Sequence, residues 1–101
     1  MILINTTFHI HCSLRPDFVK WLRERYEPEA TRSGVVSNPK AMRVLGGNDA
    51  DGMSFASQLE CASLSDAKKW HDGEGAVLRE EMHRLWGDKA LFFTTYLEVI
   101  D

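Results

Sequence analysis

The chain has 101 residues, of which 44% are hydrophobic and 27% are charged, and its formal net charge is -3. This length and composition predict a single cytoplasmic globular domain over residues 1–101. The 12 Lys and Arg residues are dispersed among 15 acidic residues, which argues against the basic stripe of a nucleic-acid-binding protein.

The run from Ile2 to Cys12 is the clearest strand pattern in the sequence. Because strand side chains alternate between faces, one face carries Ile2, Ile4, Thr6, Phe8, Ile10 and Cys12. The other face carries Leu3, Asn5, Thr7, His9 and His11. Polar residues inside the run exclude a signal peptide or a membrane span. We therefore expect a central strand with one core face and one open face.

A helix should follow, with Ser13 as its cap and an interruption at Pro28. Gly34 is expected to end it in a left-handed conformation. The second strand spans about residues 35–45, and Pro39 within it favours an edge position or a bulge. A polar, glycine-rich loop over residues 46–52 should then lead into a third strand at 53–61.

The sequence from Ser63 to Asp66 has the pattern of a capping box at the start of a second helix. Gly73 and Gly75 should break that helix, and Gly87 should end it. Residues 91–100 form the last predicted strand. We expect Leu91, Phe93, Thr95, Leu97 and Val99 to face the helices, and Phe92, Thr94, Tyr96 and Glu98 to lie on the open face.

The predicted element order is strand, helix, strand, strand, helix, strand. This order defines an α+β, ferredoxin-like βαββαβ fold with a four-stranded antiparallel sheet in the spatial order 4-1-3-2. Both helices would cover one face of the sheet. An open face carrying Leu3, Phe92 and Tyr96 is too apolar to remain in water, so we expect a second copy of the chain to cover it.

Three stretches resemble a known family when they are taken together and in order: 26–34, 52–58, and 78–98 with its Trp86-Gly87-Asp88-Lys89 segment. The family is a small bacterial one catalogued as domain of unknown function 4286, and it is similar to the dimeric α/β barrel superfamily. This resemblance implies two ferredoxin-like sheets that face each other around a cavity, among relatives that include cofactor-free monooxygenases, small isomerases and heme enzymes. The family offers no agreed catalytic residues. Its members often have a His two positions before the helical proline, where this chain has Tyr26.

The candidate ligand-binding residues are the polar side chains assigned to the open face: Asn5, His9, His11, Gln58, Tyr96 and Glu98. Such a mixture, with a His that can move a proton near neutral pH, is typical of a small-molecule cavity. The same residues could instead be packed in a subunit interface.

The spacing of His9 and His11 would allow both imidazoles to approach one metal ion. A metal site also needs further ligands and a second shell, which the sequence does not supply. We therefore predict no metal and no cofactor. Cys12 and Cys61 should lie at opposite edges of the sheet as buried, unbridged thiols.

Two functions remain open. The first is a homodimeric barrel with a small-molecule cavity between the sheets, acting as a ligand sensor or an assembly module without an established activity. The alternative is a cofactor-independent monooxygenase or isomerase for a small organic substrate, with His9 as proton shuttle and with Asn5 and Tyr96 as orienting groups.

Overall fold

The computed structural model describes residues 1–46 and 52–101. Four strands form one antiparallel sheet in the order β2-β3-β1-β4: β1 is Ile2–Ile10, β2 is Val36–Arg43, β3 is Met53–Cys61 and β4 is Ala90–Glu98. The predicted ferredoxin-like order and the edge position of the second strand are therefore confirmed. Most of the predicted glycine-rich loop, residues 47–51, lies outside the described residues.

Strand β1 occupies the centre because it pairs along its whole length with β3 on one side and β4 on the other. Its inward side chains Ile4, Phe8 and Ile10 are fully buried. The alternate residues, such as Asn5 and Thr7, are only half-buried. The predicted difference between the two faces of this strand is confirmed.

The first helical region has three consecutive parts: α1 at Arg15–Trp21, a π-helical turn at Leu22–Tyr26 and α2 at Glu27–Thr31. In the π-helical turn the Glu27 N–H donates to the Leu22 carbonyl, five residues back. Pro28 has no N–H to contribute to an α-helical ladder, so the irregularity predicted there appears one turn earlier. Gly34 follows with a φ of 81°, as predicted.

Strand β2 is interrupted between Ser37 and Lys40, where its register against β3 shifts. Asn38 has a φ of 51° at this point, and Pro39 follows it. An unpaired residue pair is tolerated here because the outer side of β2 carries no further strand.

The second helical region consists of α3 at Leu64–Asp72 and α4 at Glu74–Trp86, with the break at Gly73. The Ser63 hydroxyl oxygen accepts a hydrogen bond of 3.1 Å from the Asp66 N–H, which confirms the predicted cap. The Trp70 indole N–H donates to the Ala30 carbonyl at 3.2 Å and ties α3 to the end of α2. No helix of the described residues is long and apolar enough to cross a membrane.

The core lies between the helices and one face of the sheet. An aromatic cluster fills it, in which the Phe8 ring centroid lies 5.3 Å from Phe18 and 5.6 Å from Tyr26. Trp21 and Trp86 meet edge to face at 5.7 Å on the outer side of this cluster. Rings at these separations add favourable quadrupolar contacts to the area that they bury.

The predicted facing of the last strand is wrong. The register pairs Tyr96 with Ile4, Phe92 with Phe8 and Glu98 with Ile2, and directly paired residues share a face. The helix side therefore holds Phe92, Thr94, Tyr96 and Glu98, and the open face holds Leu91, Phe93, Thr95 and Leu97. The residues Leu91-Phe92-Phe93 are apolar on both faces, so their alternation does not reveal which face is inside.

Both cysteines are free thiols, as predicted, but they differ in exposure. Cys61 ends β3 and is buried, whereas Cys12 is exposed in a short 3-10 turn at Cys12–Leu14. The expectation of a buried thiol was wrong for Cys12 because β1 ends at Ile10, two residues earlier than predicted.

The Ser63 cap gives a direct test of the α3 boundary. Replacing Ser63 by Ala should lower the free energy of unfolding by about 1 kcal/mol, because the Asp66 N–H loses its acceptor. Urea denaturation measures this loss. Ser65→Ala is the matched control, since this exposed serine lies within the first turn, and equal losses in the two variants would contradict the cap.

Candidate functional site

The open face of the sheet carries an unusual amount of exposed apolar surface for the described chain. Phe93 is 61% exposed and Leu91 is 54% exposed. Leu97 lies further along β4 beside Leu3, and Met42 lies at the other edge beside Ala56. No helix packs on this side, since the core lies on the opposite face of the sheet.

A polar row crosses the middle of this open face. Gln58 pairs with Lys40 on one side and with Asn5 on the other, and Asn5 pairs in turn with Thr95. Paired residues in an antiparallel sheet have neighbouring Cβ atoms on the same face. Asn5 and Gln58 are half-buried, so their amide groups are presented to whatever covers the sheet.

His9 lies on the same face, near one end of β1. Its Nδ1 atom lies 3.0 Å from the Ser54 hydroxyl oxygen, which belongs to the paired residue on β3. The ring rests against Gly52, where a Cβ atom would come within 2.6 Å of His9 Nε2. Gly52 has a φ of 144°, which also favours glycine, so two neighbours on one element fix the imidazole.

His11 does not join this face. It follows the end of β1, and its Nδ1 accepts a hydrogen bond of 3.2 Å from the Ser13 N–H, so that it begins the 3-10 turn. This arrangement replaces the predicted cap by Ser13, and α1 begins without a side-chain cap. His9 and His11 are thus separated in role, and no group of three potential metal ligands occurs among the described residues.

Tyr96 and Glu98 lie on the helix side, as the register requires. The Tyr96 ring meets the His71 ring of α3 at a centroid distance of 5.9 Å. Of the predicted candidates, the structure therefore brings Asn5, His9 and Gln58 onto one face.

A second polar row on the helix side was missed. Thr6 pairs with Ser57 and Thr94, and its hydroxyl oxygen lies 3.4 Å from that of Thr94. The Thr94 hydroxyl is also 3.2 Å from His71 Nε2, so the row reaches α3. Thr6 and Ser57 are 1% exposed. The signal in the sequence was the presence of hydroxyl residues at inward positions of two otherwise apolar strand faces.

The fully buried Tyr26 lies against this inner row, after the π-helical turn. Its hydroxyl is within hydrogen-bonding reach of Thr6 and Ser57, and the Ser57 hydroxyl has no other partner among the described residues. Burial raises the pKa of Tyr26 to about 12, although the hydrogen bond to Thr6 acts in the opposite direction. Tyr26 is therefore a neutral hydrogen-bonding group in the centre of the core at physiological pH.

A helix-covered antiparallel sheet with an uncovered second face defines a ferredoxin-like protein of the kind found in dimeric α/β barrels. The model of the family described as Domain of unknown function (DUF4286) matches residues 1–100. The chain belongs to that family, as the resemblance of its sequence motifs implied.

Several solved structures are similar to this fold. HapK from Hahella chejuensis superposes with a TM-score of 0.71 at 9% identity, covering 99% of this chain and 93% of that one. An ethyl tert-butyl ether D (EthD) family protein from Bacillus halodurans gives 0.68 at 11% identity, covering 99% and 100%. A dimeric ferredoxin-like protein from an uncultured marine organism gives 0.62 at 17% identity, covering 99% and 95%. These identities establish the shared fold alone, and a search of curated proteins found no match.

Burial of Tyr26 predicts a specific loss of stability in alkali. The unfolded chain releases the Tyr26 proton near pH 10, whereas the folded protein retains it to about pH 12. The contribution is fully present below pH 10 and is lost as the pH rises to 12, so it should lower the free energy of unfolding by about 2 to 3 kcal/mol.

Urea denaturation at a series of pH values measures this loss. Tyr26→Phe is the control, because it keeps the ring and removes the ionisable hydroxyl. The alkaline decline should be smaller in Tyr26→Phe than in the unmodified protein, and parallel declines would show that Tyr26 does not ionise differently in the two states.

Proposed function

We propose that the chain forms a homodimer in which two open sheet faces meet and enclose a small-molecule cavity. The observation that carries this proposal is the exposure of Leu91 and Phe93 on a face that the helices leave bare. Leu97 and Met42 extend the same apolar surface. Contiguous apolar surface of this kind marks an interface in a protein that must remain dispersed in water.

The arrangement of this face favours a second copy of the chain as the occupant. A face that pairs with its own copy around a twofold axis needs no separate partner, and twofold dimers are the commonest assemblies. A structural neighbour with the same βαββαβ topology is described as a dimeric ferredoxin-like protein. The apolar side chains lie mainly on β4 and β2, with the polar row of Asn5 and Gln58 between them.

The polar row supports the second part of the proposal, the cavity. In a face-to-face dimer, amide groups from both copies would point into the space between the sheets. Unpaired amides cost free energy when they are buried, so this space should hold either water or a polar ligand. The ligand class that fits is a small organic molecule with an apolar body and at least one hydrogen-bonding group.

The dimer can be tested with two matched leucines. Leu91 on the open face and Leu85 on α4 are both 54% exposed. Leu91→Glu should weaken the dimer by at least about tenfold, roughly 1.4 kcal/mol, because a carboxylate would be buried without a partner. Leu85→Glu should leave it unchanged, and sedimentation equilibrium measures both. A monomeric parent protein, or equal weakening by both variants, would contradict the dimer.

Catalysis is the second candidate function, and the support for it is the way His9 is held. Ser54 contacts Nδ1 and Gly52 supports the ring, so the imidazole has a defined orientation on the proposed cavity wall. A positioned imidazole can remove a proton from carbon and return it elsewhere, as an isomerase requires. Asn5 can still serve as an orienting group, whereas Tyr96 cannot because it lies on the other face.

Acetophenone is a suitable probe for both candidates. If the cavity binds small ketones, acetophenone should perturb the amide resonances of Asn5 and Gln58. If His9 also transfers protons, the protein should accelerate exchange of the acetophenone methyl protons with deuterated solvent. His9→Ala should lose at least about tenfold of that acceleration, and His11→Ala should keep it because His11 lies off the face.

These outcomes distinguish the two functions. Binding without accelerated exchange supports a ligand-binding dimer and removes the enzyme candidate. Accelerated exchange that survives in His9→Ala removes His9 as the proton carrier. The absence of perturbation at Asn5 and Gln58 argues against a cavity open to ligands of this class.

A further inference from the structure

A groove of about 450 Å³ lies between α4 and the first half of β4, on the helix side of the sheet. Its floor is apolar and includes Met82, Ala90 and Phe92, while Arg79 forms part of its wall. Glu80 and Asp88 contribute to the charged rim. The groove combines apolar surface with one partly enclosed cation.

Three neighbours hold the Arg79 guanidinium in place. Its Nη2 atom donates a hydrogen bond of 2.7 Å to the His71 carbonyl oxygen. Its Cζ atom lies 5.1 Å from the centroid of the Phe92 ring. Gly75 provides the necessary space, because a Cβ atom there would come within 2.8 Å of Arg79 Nη1. The guanidinium is therefore a fixed group, unlike an arginine in solvent.

The charge of Arg79 is not balanced by a nearby carboxylate. Within the part of the chain that the structure describes, no acidic oxygen lies within 4 Å of its guanidinium, whereas Arg23, Arg25 and Arg84 each have such a partner. Burial lowers the pKa of Arg79, although the neighbouring Tyr26, Tyr96 and Asp72 act in the opposite direction. A half-buried cation without a counterion is electrostatically costly, so an anion that reached it would be stabilised.

We infer that this groove is a binding site for a small monocarboxylic acid with an apolar body, anchored by Arg79. Stacking on Phe92 uses the face of the guanidinium and leaves its in-plane N–H groups, of which one is taken by the His71 carbonyl. The remaining donors suit a carboxylate, which guanidinium groups bind through paired hydrogen bonds. The apolar body of the ligand would cover Met82 and Phe92.

The rim limits the charge of the ligand. Glu80 lies 3.4 Å from Arg84 and is largely neutralised by it, while Asp88 is exposed and screened by solvent. A single carboxylate is compatible with these neighbours. A phosphate or a dicarboxylate would place further negative charge beside them, so the groove should discriminate against such ligands.

The simpler explanation of Arg79 is structural, since its bond to the His71 carbonyl caps the last turn of α3. That role predicts a loss of stability on substitution but no binding of acids. The inferred site is also independent of the proposed dimer cavity, because Phe92 and Tyr96 lie on the opposite side of the sheet from Asn5 and His9.

Benzoate is the probe for this site, and titration of the full chain followed by amide resonances is the measurement. Benzoate should perturb Ala90 and Phe92, whereas the uncharged analogue benzyl alcohol should bind at least about tenfold more weakly because it lacks the carboxylate. Arg79→Gln should also weaken benzoate binding by at least about tenfold. Arg84→Gln is the matched control, since it removes the same charge from an exposed position of the same helix.

Arg79→Lys keeps the positive charge and serves if Arg79→Gln fails to fold. It should weaken benzoate binding severalfold, because an ammonium group cannot form the paired hydrogen bonds of a guanidinium. The inference is overturned if benzoate leaves the groove resonances unchanged, if either Arg79 variant binds benzoate as tightly as the parent, or if Arg84→Gln loses as much affinity as Arg79→Gln. Sedimentation of Arg79→Gln should still give the oligomeric state of the parent, which separates this test from that of the dimer.

Discussion

The pairing of β1 with a strand on each side is the constraint on which the rest of the structure depends. Because Phe8 and Ile4 must point into the helical layer, the hydrogen-bonded register assigns a face to every residue of β3 and β4. The helices then need only cover one side. A slip of one residue in either pairing would expose the core of that strand, so the apolar pattern of β1 protects the register of its neighbours.

The sequence was sufficient where one pattern had a single physical reading. Alternation identified the inner face of β1, a proline identified the edge strand, and Ser63 identified the start of α3. It was insufficient for β4, where Leu91-Phe92-Phe93 satisfies either facing and only the register decides. The candidate site failed for the same reason: Asn5 and Gln58 belong to strands with unambiguous patterns, whereas Tyr96 and Glu98 do not.

The inner hydroxyl row was beyond sequence reasoning because its members are far apart in the chain and become neighbours only through pairing. It also lies directly behind the outer polar row. Ser57, Thr6 and Thr94 each immediately adjoin a residue of the outer row, namely Gln58, Asn5 and Thr95. Both faces of the sheet are therefore polar at the same height, with apolar rows such as Phe8 and Phe55 on the inner side beyond it.

The π-helical turn has a consequence for how this helix can change in length. A residue removed between Leu22 and Glu27 would restore ordinary pitch, but it would rotate everything that follows by about 100° around the axis. Ala30 would then carry its carbonyl away from the Trp70 indole. Insertions and deletions should accordingly be excluded from this stretch and tolerated after Thr31, where the helix has already ended.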